Sequence, residues 1–163
     1  MEYLKSAISM FELYKTQAEK ALVQVSDENL AWHANEDSNS IVTIIKHMVG
    51  NMKSRWTDFL TTDGEKPWRQ RDEEFENGKI SREALLALWE DGWNCVFSAL
   101  HQIREEDLNK TVLIRGQEHS VIDAINRQMM HYAAHVGQII YIAKMLNKED
   151  WKTLTIPRKK VSV

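Results

Sequence analysis

Structural punctuation is scarce in this chain. Only two prolines and six glycines occur among 163 residues, too few breakers for the many turns of a sandwich or barrel, so long helices are expected. A single cysteine, Cys95, excludes an internal disulfide and fits a reducing compartment. No apolar run approaches the roughly eighteen residues that a membrane-crossing helix needs, and the opening Met1-Glu-Tyr-Leu-Lys5 lacks the basic-then-apolar order of a secretory leader. The expectation is a cytoplasmic protein with no membrane partner. Excess charge of one sign is missing as well: 21 basic residues stand against 24 acidic ones, giving −3, with a pI near 6.1. The basic residues are interspersed with acidic ones, which argues against nucleic acid as a partner. Arg158-Lys159-Lys160 departs from that mixing and is read as a solvated terminus.

What the chain does have is bulky apolar mass, with six tryptophans and seven methionines, arranged at helical intervals. Leu4, Ala7, Ile8, Phe11, Tyr14, Ala18, Ala21, Leu22 and Val25 mark an amphipathic helix over residues 3–25. Asn39-Ser40 supplies an N-cap for a second helix, Ile41 to about Leu60. Residues 61–80 are charged and interrupted by Gly64, Pro67 and Gly78, a connection long enough to suggest the lip of a pocket. Ser81 caps a third helix reaching about Ile103, whose two apolar stripes call for a central position or a subunit interface. Thr111-Val-Leu-Ile114 and the turn-like Arg115-Gly-Gln117 predict a short hairpin, and Ser120 with Asp123 forms an acidic capping box for a last helix running to Leu146. Residues 147–163 read as an extended tail in which Trp151, Leu154 and Ile156 are candidates to lie across the helices. The count is all-α: four long helices in a bundle, a single domain over residues 1–163 with roughly two-thirds of its unfolded surface buried.

The last helix also carries chemistry. His131 and His135 are four residues apart, which stacks their rings on one face within reach of a common metal ion, and Gln138 continues the stripe. On the second helix His47, Asn51, Ser54 and Asp58 fall within about 60° of one another, beside the apolar arc. His47 is therefore the candidate third ligand. Three neutral imidazoles would bind a divalent ion and leave a position for water or substrate, the mark of a catalytic site. Spacing alone leaves an alternative, since either histidine of the pair could be a core residue bonded to a backbone carbonyl. Residues 132–134 are Tyr-Ala-Ala, so the glutamate of the zinc-protease motif is absent and peptide hydrolysis of that type is not expected.

The segments Asn39-Ser40-Ile41, Ile44-Ile-Lys-His47-Met-Val-Gly50-Asn51 and His131-x-x-x-His135-x-Gly137-Gln138-Ile139 resemble the DinB/YfiT-like family, over nearly the whole chain. The resemblance implies a four-helix bundle with a divalent metal on His47, His131 and His135, usually within a homodimer. Many members carry Arg-Gly-Gln where this chain has Val136-Gly-Gln, so no role for that arginine is carried over. It further implies chemistry with a low-molecular-weight thiol, in which an ion such as zinc or nickel presents the thiolate to an electrophilic small molecule. Thiol S-transfer is thus the leading expectation. A metal-dependent hydrolase is the alternative, with Asp58, Asp72 or Glu74 as proton acceptor, and a non-catalytic metal- or ligand-binding bundle is the third reading, followed by a bundle without metal.

Asn51 and Gln138 are candidates to orient a ligand histidine or bound water. Arg55 is a candidate for an anionic substrate group or for pairing with Asp58 or Glu12. Cys95 is expected to be a small buried hydrophobe and not a nucleophile. His33, His101 and His119 lack a same-face partner and read as surface or capping residues, while Trp56 and Trp68 are the tryptophans expected at a pocket mouth.

Overall fold

The fold is given by a computed structural model that describes residues 2–76 and 78–157, with Glu149 described by its backbone alone; Arg158-Lys159-Lys160 lies outside the described residues. Among these residues four α-helices account for most of the chain: α1 (Glu2–Leu22), α2 (Ile41–Trp56), α3 (Arg82–Gln102) and α4 (Val121–Asn147). Between α3 and α4 lies the expected hairpin, β1 (Thr111–Ile114) and β2 (Gln117–Ser120), antiparallel with Thr111 opposite Ser120. Three serines begin three of the helices as their sequence context demands: Ser40, Ser81 and Ser120 accept from the backbone N–H groups of Thr43, Ala84 and Asp123.

Helix α1 packs along α4 and α2 along α3, with α2 and α4 also facing each other across the core. One aromatic ring from each helix meets at the centre. Phe11 of α1 sits 5.9 Å from Trp56 of α2, 6.2 Å from Trp93 of α3 and 5.7 Å from Tyr132 of α4. The contacts with Trp56 and Trp93 are edge-to-face and that with Tyr132 is tilted, and aromatic pairs of this kind add to the area burial of each ring. Gly92 lets α3 approach α2 closely, because a Cβ there would stand 2.9 Å from Met52 Sδ and 3.1 Å from a Val49 methyl. The second stripe of α3 is thus partly covered within the chain, with Leu88, Cys95 and Ala99 half-buried against the core.

Two boundaries differ from the sequence pattern. Helix α1 stops at Leu22, and α2 stops at Trp56, not at Leu60. Asp58 adopts a left-handed backbone, φ 50°, and its carbonyl accepts from Thr61 and Thr62. The apolar residue Phe59 continues the hydrophobic pattern after the helical backbone has ended, so periodicity overshoots. Beyond the turn, Ser54 donates to the Gly64 carbonyl and accepts from the Lys66 N–H, while Gly64 N–H donates to the Leu113 carbonyl. These bonds pin the start of the 57–81 connection to α2 and to the hairpin. Within that connection a short 3-10 helix, Asp72–Phe75, packs against α2. After α4 the chain turns through Lys148–Asp150 and docks on the end of α1, where Lys152 N–H donates to Gln24 and Gln24 donates back to the Lys152 carbonyl. Trp151 and Leu154 are half-buried there, whereas Ile156 is exposed.

Candidate metal centre

Helix α2 brings His47 and α4 brings His131 and His135 to one point. The Nε2 atoms of His47 and His135 lie 3.3 and 3.1 Å from His131 Nε2, and one ring nitrogen from each residue falls within 4.8 Å of the other two. Two imidazole nitrogens sharing a tetrahedral ion at ~2.0–2.1 Å stand roughly 3.3 Å apart, so the spacing is that of ligands around one centre. The tautomers agree with it. His47 Nδ1 faces Glu74 Oε2 at 3.0 Å and His135 Nδ1 faces Gln138 Oε1 at 2.8 Å. Protonated Nδ1 atoms donating to those oxygens leave both Nε2 lone pairs directed inward. His131 has no carbonyl partner; its buried Nδ1 is without a hydrogen bond among the described residues. That removes the alternative of a packing histidine bonded to the backbone.

Electrostatics favour neutral rings. Burial, together with the neighbouring His135 and His47, pushes the His131 pKa down to about 3. Burial also pushes His135 down, ahead of a raising hydrogen bond from Gln138. Glu74 is the anionic counterweight: burial works against its ionisation, but hydrogen bonds from His47 and Arg69 outweigh it and hold its carboxyl below the usual range. Arg69 grips both oxygens, Nε to Oε1 at 2.8 Å and Nη2 to Oε2 at 2.9 Å. The three rings and their carboxylate thus fit a divalent cation by donor type, spacing and charge.

The model of the family described as "Protein of unknown function (DUF1572)" matches residues 1–160. The chain belongs to this family. In fold the DUF1572 chain is similar to the DinB-like protein YjoA from Bacillus subtilis, with a TM-score of 0.65 and 16% identity over 98% of this chain and 100% of that one. The all-α, DinB-like bundle expected from the sequence is therefore the observed architecture. No curated protein matches the DUF1572 chain.

In this DUF1572 chain the other sequence candidates separate. Gln138 reaches the centre through His135. Asn51 is buried beside it but accepts from Tyr132 Oη at 3.1 Å, which in turn accepts from Trp56 Nε1 at 3.0 Å; it makes no hydrogen bond to a histidine among the described residues. Asp58 is a correction: once α2 has ended it leaves the polar stripe, and it lines a different pocket with Phe59 and Cys95. Ser54 serves the backbone of residues 64–66. Asp72 is fully exposed on its side chain. Trp56 is core, 2% exposed, while Trp68 is 53% exposed. Cys95 is half-buried, not fully buried as the sequence suggests, and burial raises its thiol pKa. Arg55 pairs with neither Asp58 nor Glu12; its nearest carboxylate is Glu65, 4.0 Å away. His33 bonds to the Asn35 carbonyl at the surface.

Sequence reasoning missed the link from Arg69 through Glu74 to His47, having considered Glu74 only as a proton acceptor. One signal was available: Gly50, one turn after Lys46 and His47. A Cβ at this position would stand 2.0 Å from Glu74 Oε1, so glycine is what admits the carboxylate to the helix surface.

Proposed function

We propose that this chain is a divalent-metal-dependent enzyme acting on a small molecule, with His47, His131 and His135 as ligands and zinc or nickel as the ion. The observation that carries the reading is the convergence of three Nε2 atoms at metal-ligand spacing, two of them with Nδ1 already committed to Glu74 and Gln138. A divalent ion on three imidazoles keeps a coordination position open and lowers the pKa of a thiol or water that occupies it. His47 and His131 both line a cavity of about 430 Å³, so the open side faces space for a substrate.

Thiol S-transfer stands ahead of hydrolysis for a reason on the cavity wall. No carboxylate lines this cavity among the described residues, and Glu74 is held by Arg69 and His47. Hydrolysis calls for a positioned proton acceptor and then a donor to the leaving group, whereas a thiol, with a free pKa of about 8.5, would give up its proton to bulk solvent once an ion lowers that value. Asn51, held by Tyr132, supplies a fixed polar wall. We further infer a homodimer, which the outward face of α4, with Met130, Tyr141 and Met145 exposed, supports.

Metal analysis of the purified chain tests the ligand set. Stoichiometric zinc or nickel is expected, falling to background in His131→Ala and His135→Ala; retention by both variants overturns the reading. Thiol-dependent turnover against a panel of electrophiles, absent in the same variants, then separates transferase from hydrolase and from a non-catalytic binder.

A further inference from the structure

The cavity beside the histidines is walled by five arginines: Arg55 from α2, Arg69 and Arg71 from the following connection, Arg115 from the hairpin turn and Arg127 from α4. No acidic side chain joins them on that wall among the described residues. In a chain of net charge −3 such a concentration is selective, and it lies in a concavity and not along a surface stripe. A recess of about 430 Å³ fits a small molecule, not the backbone of a nucleic acid.

The five are not equally committed. Arg69 is spent on Glu74, and Arg115 donates to Glu65 at 3.0 Å. Arg71 is half exposed beside Asp72, and Arg127 is exposed with no ion pair among the described residues. Arg55 differs from all of these. It is 4% exposed, its Nε and Nη1 have no hydrogen-bond partner among the described residues, and the one carboxylate in ion-pair range, Glu65, stands 4.0 Å from Nη2, with Asp63 acting from further off. Its place is prepared: a Cβ at Gly64 would lie 2.5 Å from Nη1 and 2.8 Å from Cδ, so the glycine leaves room for the guanidinium. Gln128, 2% exposed on the same wall, likewise has an Oε1 without a partner among the described residues. A buried cation with unmade donors costs far more than one whose donors are satisfied. Burial pushes the Arg55 guanidinium down, Glu65 and Tyr132 oppose that and Arg69 and Arg115 add to it, yet an arginine stays charged at neutral pH.

We propose that this cavity binds a small organic anion, holding its carboxylate or phosphate group on Arg55 with Arg71 and Arg127 at the mouth. The Arg55 guanidinium supplies the charge that holds the anion, and Gln128 lies on the same wall for whichever polar group is beside it. The bound acid has its remaining atoms against His47 and His131, which makes it the substrate, or the acidic part of the thiol, in the proposed reaction. That last placement rests on the metal reading; anion binding by Arg55 does not.

The test is isothermal titration of the purified full-length chain with inorganic phosphate and, separately, with succinate, at low ionic strength and both with and without a chelator. Saturable binding of at least one probe is expected, unchanged by the chelator. Arg55→Gln should weaken it about tenfold or more and Arg55→Lys by less, since one buried charge-assisted donor set is lost in the first and only its geometry in the second. Arg127→Gln, at an exposed position with no ion pair among the described residues, should weaken it severalfold, while Arg104→Gln, outside the cavity lining, should bind as wild type. Binding of succinate alone assigns a carboxylate, and of phosphate alone a phosphate ester. Absence of saturable binding, equal loss in Arg104→Gln, or binding that the chelator abolishes while Arg55→Gln and Arg127→Gln retain it overturns the proposal. Metal content of the same samples is measured in parallel. A chain without metal that still binds the anion through Arg55 removes the metalloenzyme reading and leaves this one standing.

Discussion

Glu74 matters because a histidine ligand is only as good as the proton on its other nitrogen. Glu74→Gln keeps the shape but removes the charge that holds the proton on His47 Nδ1 and pairs with Arg69, so metal affinity should fall by about 10–100-fold in a competition titration with a chelating dye. Gly50→Ala should reproduce much of that loss from the other side, since its Cβ would meet Glu74 Oε1 at 2.0 Å. Helix propensity alone would make this change stabilising by roughly 1 kcal/mol; a Gly50→Ala protein with raised stability and unchanged metal affinity would show that Glu74 is not held against the helix. Acid should act through His131. Its folded pKa, about 3, lies below the unfolded value of about 6.5, so the unfolded chain binds the extra proton between those values. For metal-free protein the contribution is fully present above pH about 6.5 and is lost as pH falls toward 3, on the order of 2 kcal/mol after allowance for screening. Urea denaturation across that range should show the slope, and His131→Phe should flatten it. His131 and His135 were legible from spacing, and His47 as a candidate from its place beside the apolar arc of the second helix; the charge that orients His47 was not, because it arrives from 27 residues away on a connection with no helical period.

Elements were read more securely at their beginnings than at their ends. Ser40, Ser81 and Ser120 cap where the sequence places them, because a cap is a contact within three residues. The end of α2 depends instead on Asp58 turning left-handed and on the bonds that tie residues 64 and 66 to Ser54. The hairpin depends on Asp63. Its carboxylate accepts from the N–H groups of Glu65, Arg115 and Gly116; burial opposes the charge, but these bonds hold its pKa below the ordinary value. Arg115 and Gly116 both have positive φ, the signature of a tight hairpin turn. Asp63→Ala should lower stability by about 2 kcal/mol in chemical denaturation, while Asp63→Asn should lose less. Between helices, Tyr132 Oη joins Trp56 of α2 to Asn51. Tyr132→Phe leaves both partners buried and unpaired, with an expected cost of about 1–3 kcal/mol and a shift in tryptophan emission.

At the scale of the whole molecule, two pairs of helices close on a ring from each helix and leave one end of the α2–α4 seam to the histidines. No helix among the described residues is long and apolar enough to cross a membrane. If the exposed α4 face is a subunit interface, sedimentation should report twice the 19.0 kDa of one chain, and Tyr141→Glu with Met145→Glu should return a monomer with its helical content intact. Sequence by itself determined the four helices, their capping serines, the hairpin and the histidine pair, since each is written in residues three, four or two apart and local geometry turns spacing into a shared face. Tertiary structure alone decided that His47 would meet that pair at ligand distance, that Glu74 and Arg69 would stand behind it, and that five arginines from four segments would wall one cavity. Those outcomes depend on how helices pack and where a long connection is pinned, and no repeat along the chain encodes a distance between residues that meet only when the core closes.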